Sequence, residues 1–325
     1  MADIQPVLEV SNAPYNGPPQ NRVLPFQVDG LDVRGKAFTF STEFDSIVSR
    51  HDYPNVISRA LGEAVALAAV LGTSLKFDGK FILQTQTDGV VDLMVVEFRT
   101  PSAIRAYVRF DKDALSDAEK RGETEPHQLL GKGTLAMTID QGAHMQRYQG
   151  IVALDGSTLE EVAHQYFLQS EQIPTVMRLA VGQLFSADSD APSWRIGGLM
   201  AQFLPQSEDR MRLRDLPGGD GAEEDQSDED DAWNAARALV DTVEDDELLD
   251  PAISSERLLF RLFNQHDIRV YDEVSIEDKC SCSRERIQSV LDNLDESERA
   301  DIMVDGKIEV NCEFCSKSYI FEAAA

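Results

Sequence analysis

Four cysteines, Cys280, Cys282, Cys312 and Cys315, all fall within the last 46 of 325 residues. Their pattern is C-x-C, 29 intervening residues, then C-x-x-C. A thiolate is both a nucleophile and a metal ligand. Two close pairs, each on a tight turn, become four donors for one ion once the chain between them folds back. Zn²⁺ accepts four thiolates tetrahedrally at about 2.3 Å with no geometric demand of its own, so the residues predict one zinc per chain in a reducing compartment. Four thiolates around a dication leave two excess negative charges, which Lys279, Arg284, Arg286 and Lys317, close in sequence, would offset. Three other chemistries use the same residues: a purely structural zinc ribbon, an iron–sulfur cluster, and a thiol–disulfide oxidoreductase working through Cys312 and Cys315 alone. The last predicts turnover on other proteins' disulfides and indifference to the loss of Cys280 and Cys282.

No second chemical constellation stands out. The five histidines, His51, His127, His144, His164 and His266, are scattered without metal-ligand spacing. Gly131-Lys-Gly-Thr134 lacks the earlier glycine of a phosphate loop, Pro126 standing in that place, and reads as a turn before a strand. Neither G-x-S-x-G nor G-x-G-x-x-G occurs, so the residues give no foothold for an enzyme.

The chain carries 30 basic and 58 acidic residues, a net charge of -28. Phosphate binding needs clustered Lys and Arg, so nucleic acid and anionic lipid are not expected partners. Between Asp215 and Asp250 fifteen acids face one base, Arg237, giving -14, half the chain's excess. Eight of those acids lie in Asp220 to Asp231, after Pro217-Gly218-Gly219, and read as a solvated, extended segment. The longest apolar run, Ala64 to Leu71, is eight residues, against about 20 for a membrane span. The first ten residues show no basic stretch followed by an apolar one, so a cytoplasmic protein is expected.

At roughly 100–200 residues per domain the length suggests two domains and a small third. Residues 1–22, rich in proline, read as an extended tail. Over 23–205 the pattern is α+β. A helix is expected over Pro54 to Leu75, strands over Phe81 to Gln86, Val90 to Phe98, Ile104 to Phe110, Leu135 to Ile139 and Arg147 to Leu154, then a helix opened by a capping box at Ser157 and Glu160. Ile104, Ala106, Val108 and Phe110 fall on one face of their strand, Arg105, Tyr107 and Arg109 on the other. Residues 206–231 form the acidic segment. Over 232–273 two short amphipathic stretches follow, one with Trp233, Ala236, Val240 and Val243 in a stripe, the other with Leu258, Leu259, Leu262 and Phe263 behind an N-cap at Ser254. Helices shorter than about 15 residues are marginal in water and must dock on a neighbour. In residues 274–325 a helix is expected over Ser283 to Leu294, with strands at Ile308 to Val310 and Tyr319 to Phe321 flanking the second cysteine pair. About 50 residues bury little apolar surface, so metal would supply most of that domain's folding free energy.

Several segments resemble the heat shock protein 33 family of redox-regulated bacterial holdases. They are Lys279-Cys-Ser-Cys-Ser-Arg-Glu-Arg286, Cys312-Glu-Phe-Cys315 with Tyr319, and Tyr166-Phe-Leu-Gln-Ser-Glu-Gln-Ile-Pro-Thr175. Leu130-Gly-Lys-Gly133, Tyr148-Gln-Gly150, Gly197-Gly-Leu-Met-Ala-Gln202 and Leu258-Leu-Phe-Arg-Leu-Phe263 add to them, and the likeness spans Val23 to Phe321. It implies an N-terminal α+β domain, a metastable helical linker docked on it, and a C-terminal redox-switch domain whose four cysteines bind zinc when reduced. It further implies that oxidation with unfolding stress forms disulfides, ejects zinc, unfolds the linker and yields dimers that hold unfolding client proteins without ATP. Near-neighbour pairing predicts Cys280–Cys282 and Cys312–Cys315, the second closing first because the C-x-C ring is tight. The linker residues expected to touch clients are Trp233, Val240, Leu258, Leu259, Leu262 and Phe263. The acidic segment and the N-terminal tail look like additions to the family pattern.

Overall fold

The computed structural model describes residues 21–142, 147–185, 191–204 and 231–322. The expected tail and acidic segment lie outside these, save Asn21, Arg22 and Asp231, and so does His144. Two sheets enclose one long helix. The first sheet is built from β1 (Arg22–Val28), β2 (Val33–Phe40), β8 (Thr175–Leu184), β9 (Ser193–Phe203) and β10 (Ile268–Val270), in the order β10-β1-β2-β9-β8, with β11 (Val274–Ser275) also on β1. The second runs β12-β5-β4-β3-β6-β7, from β3 (Lys80–Thr87), β4 (Val91–Arg99), β5 (Ala103–Phe110), β6 (Lys132–Asp140), β7 (Tyr148–Asp155) and β12 (Glu277–Asp278). The expected α+β class holds, and all five expected strands are present.

Between the sheets lies α2 (Asn55–Gly72), with nearly every side chain from Ile57 onward buried. It is 18 residues long and apolar enough to span a bilayer by length and composition, but 78% of it is buried inside the fold. A helix apolar on all sides belongs in a core, and Leu61, Leu67, Leu83, Met94, Phe98 and Ile196 meet around it.

The N-terminal side of the helix Leu159–Tyr166 corrects the expected capping box by one residue. Thr158 accepts from the Glu161 amide and Glu161 accepts from that of Thr158, while Glu160 turns inward to take the amide of Leu179 on β8. Both Ser157 and Thr158 fit the cap by type; the inward pull on Glu160 selects Thr158. The helix gives way after Tyr166 to a single π turn, Phe167–Glu171. The Tyr166 ring rests where a Cβ on Gly150 would stand, 2.7 Å from its Cε2, so two of the motifs read from sequence are one contact.

Three helices follow in residues 231–262: Asp231–Asp241, Asp245–Leu249 and Ser255–Leu262. Ser254 accepts from the Arg257 amide, as its N-cap position predicts. The middle helix was not expected; five residues, four of them in the acidic-Leu run Asp245 to Leu248, carry too short a pattern to read. All three lie on the outer face of the first sheet. There Trp233, Val240, Leu258, Leu259 and Phe263 share a second core with Phe26, Val33, Leu199 and Phe203, and Leu262 is half-buried at its margin. Phe263 packs on Phe26 and Trp233 on Phe203, each with ring centroids 5.9 Å apart.

Gly197 and Gly198 on β9 decide how closely this sheet is covered. A Cβ on Gly198 would strike the Phe38 ring on the inner side, and one on Gly197 would stand 2.1 Å from the Leu248 carbonyl oxygen on the outer side. The middle linker helix thus sits with its backbone directly on the sheet. Gly197→Val is expected to expel it, so that trypsin cuts the reduced protein at Arg237, Arg257 and Arg261 about tenfold faster while the sheets stay intact. Unchanged cleavage would show that the helix can dock without this approach.

Glu63 on α2 is held up to about 7, chiefly by burial, with Arg59 opposing and Glu160, Glu125 and Asp245 adding to it. The folded chain therefore keeps a proton that the unfolded chain releases near the ordinary value of 4.5. The stability tied to that proton is full below about 4.5 and is lost as pH rises through about 7. Glu63→Gln should raise thermal stability at pH 8 by roughly 1–3 kcal/mol and far less at pH 5. Equal gains at both pH values in calorimetric melts would contradict this.

Candidate metal centre and redox module

After β12 the chain leaves the sheets through Cys280 and Cys282. Ser283 caps the next helix, Arg284–Asp292, accepting from the Arg286 amide. The second pair sits in the turn between β13 (Lys307–Asn311) and β14 (Ser318–Glu322), an antiparallel hairpin. There the Cys312 carbonyl accepts from the amides of Cys315 and Ser316, the Lys317 carbonyl takes the Cys312 amide, and Ser316 adopts a left-handed φ of 55°. The expected helix and both expected strands are in place.

All four sulfurs lie within 4.8 Å of one another. Cys280 Sγ is 3.7 Å from Cys312 Sγ and Cys282 Sγ is 3.4 Å from Cys315 Sγ, so every cysteine is a free thiol. Tetrahedral thiolates at about 2.3 Å from zinc stand roughly 3.8 Å apart, and this cluster has that size. The residues present fit the ion. Around them, among the described residues, Leu291, Ile308, Tyr319 and Phe321 form a small buried cluster with Ile287, Leu294, Met303 and Val310 partly buried against it.

Burial pushes the Cys312 and Cys315 thiols up. Burial acts the same way on Cys282, but the Tyr319 hydroxyl, 3.2 Å from its sulfur, together with the neighbouring sulfurs, outweighs it and brings that thiol down to about 7. Burial without a cation thus opposes the thiolate form at Cys312 and Cys315.

Three of the four basic residues expected beside the sulfurs are otherwise engaged. Arg284 lies over the Phe321 ring and donates to the Ile320 carbonyl, Arg286 donates to the Ser281 carbonyl, and Lys317 lies over the Tyr319 ring. The cation in contact with a sulfur is Arg105 of β5, whose Nη1 is 3.7 Å from Cys280 Sγ and whose Nη2 pairs with Glu97 at 2.9 Å. Nothing in the sequence marks an arginine 175 positions away as a neighbour; only its place opposite the apolar face of β5 was readable. The six expected client-contact residues are gathered on the outer face of the first sheet. Gly197, which admits the linker, also escaped a functional reading, although a Gly-Gly pair inside an apolar strand is a visible signal of close backbone approach.

The model of the Hsp33 protein family matches residues 21–322. The chain belongs to the Hsp33 family. It is 42% identical over 311 residues to the 33 kDa chaperonin of Caulobacter vibrioides, covering 94% of this chain and 96% of that one. With the 33 kDa chaperonin of Ectopseudomonas mendocina it shares 34% over 304 residues, covering 92% and 91%. The fold is similar to the crystal structure of the 33 kDa chaperonin of Thermotoga maritima, with a TM-score of 0.70 at 20% identity over 93% of this chain and 95% of that one. Hsp33 proteins are redox-regulated holdase chaperones and not enzymes. The oxidoreductase reading of Cys312 and Cys315 is therefore set aside, in keeping with a geometry in which each sulfur of that pair faces one from the other loop.

Proposed function

We propose that this chain is a cytosolic, ATP-independent holdase whose resting state is kept by zinc on Cys280, Cys282, Cys312 and Cys315 and whose active state carries two disulfides. The observation that carries the reading is the four-sulfur cluster in a module with four buried core side chains. Zinc, when bound, keeps the four sulfurs as thiolates and, by analogy with zinc-finger peptides, supplies an apparent ~10–16 kcal/mol to the module's fold. Oxidation removes four electrons: four thiolates, two hydrogen peroxides and four protons from solvent become two disulfides and four waters, and the cation is left without its ligands.

The pairing Cys280–Cys282 and Cys312–Cys315 is favoured because each pair lies on a single loop and stays together once the module melts. The cross-loop pairs are neighbours only while β13, β14 and the capped helix are folded. Loss of the module then reaches the linker through the chain itself. Residues 268–278 place β10, β11 and β12 at the edges of the sheets immediately before Cys280 and immediately after the last linker helix. Helices of 11, 5 and 8 residues cannot persist alone. Their release would expose Trp233, Val240, Leu258, Leu259, Leu262 and Phe263 together with the sheet face beneath, an apolar surface suited to unfolding proteins and to a second copy of the chain.

Reduced, zinc-loaded protein treated with peroxide at raised temperature should release one zinc per chain as suppression of aggregation of a heat-unfolding protein rises, without ATP, and both should reverse with reductant and zinc. Metal loss without holding activity, or activity with metal retained, would reject the switch. Mass mapping of the oxidised protein should find the two local disulfides, Cys312–Cys315 appearing earlier. Leu259 and Phe263 are fully buried in the docked linker, and truncating such side chains costs about 2–5 kcal/mol each. Leu259→Ser with Phe263→Ser is accordingly expected to release the linker and give holding activity in the reduced state. Loss of activity in the oxidised state instead would make these two side chains client contacts first and docking contacts second.

A further inference from the structure

The outward face of β5, with Arg105 and Tyr107, is covered by the second cysteine turn. Phe314, between Cys312 and Cys315, lies under the Arg105 guanidinium at 4.0 Å and meets the Tyr107 ring edge-on at 4.9 Å. Its carbonyl oxygen is 3.2 Å from His51 Nε2, and Ser316 Oγ is 3.2 Å from His51 Nδ1. The His51 ring in turn stacks on Tyr53 at 4.8 Å. Just before the first cysteine turn, Asp278 at the end of β12 is buried against α1 (Thr42–Ser49) and the turn that follows it. It pairs with Arg50, accepts from Ser46 Oγ at 2.8 Å, and donates its amide to Glu43 at 2.6 Å. Both cysteine turns are thus gripped by the first domain, one through Asp278 and one through Phe314.

We propose that the Phe314 seat formed by Arg105, Tyr107 and His51 is a latch that holds the redox module closed in the resting state and shields its thiols. This rests on the switch reading above but concerns the reduced protein. Phe314 belongs to a turn whose shape is set by two cysteines, Cys312 two residues before it and Cys315 next to it. Any change in how those sulfurs are held moves the ring out of its seat. The same ring covers Arg105, which touches Cys280 Sγ, so the two cysteine turns report to one side chain of β5. The linker is released by losing the module; the latch adds a direct contact through which the first domain sets how readily the module opens.

The test is the rate at which a maleimide modifies the four cysteines of the reduced, zinc-loaded, full-length chain at one pH, read by mass spectrometry, with no oxidant present. Tyr107→Ala and Phe314→Ala should each raise the rate at least fivefold. The double variant should be no faster than the quicker single one, because both remove the same contact, and Tyr107→Phe, which keeps the ring, should stay within twofold of the parent. Single variants that leave the rate unchanged, or effects that multiply in the double variant, would overturn the latch. Should Tyr107→Ala not fold, as judged by amide exchange of β1 to β9, His51→Ala carries the same comparison. Failure of peroxide to release zinc from the parent protein would instead count against the switch itself and leave this measurement readable.

Discussion

Four sulfurs lie within 4.8 Å of one another in a module whose buried cluster, among the described residues, is Leu291, Ile308, Tyr319 and Phe321. A core of that size cannot offset the conformational entropy of some forty ordered residues. In the proposed switch the fold of the module depends on what holds its thiols, and the linker attached to the module inherits that dependence.

The first domain supplies the opposite condition. Its two sheets close over an 18-residue apolar helix and a core that runs continuously from one sheet to the other. Its described residues hold none of the four cysteines, so thiol oxidation does not reach that core directly. It can persist while the module melts. Between the two lies the linker, three short helices that owe their order to the outer face of the first sheet and to the close approach allowed by Gly197. Chemically sensitive, conditionally folded and robust elements thus follow one another, and the strands β10 to β12 tie the first two to the third.

The contact between module and first domain makes this arrangement more than a chain of dependencies. Arg105, His51 and Arg50 reach the cysteine turns from β5 and from the end of α1, and Asp278 and Phe314 are the residues they hold. The net charge of -28 favours dispersal of the chain in solution.

Residue type and spacing determined the metal-ligand set, because ligand chemistry is carried by the cysteines themselves wherever the fold puts them. Local pattern likewise determined the helix at Asn55–Gly72, the five strands from β3 to β7, the Ser254 and Ser283 caps, and the docking stripe of the linker. It did not reveal β1, β2, β8 or β9. A strand of the first sheet is covered on one face by α2 and on the other by the linker, and a strand buried on both faces loses the alternation that would announce it. Tertiary structure alone decided which cation meets a sulfur, since Arg105 arrives from 175 residues away, and where the outward face of β5 points, since an alternating pattern distinguishes two faces but not solvent from a docked neighbour.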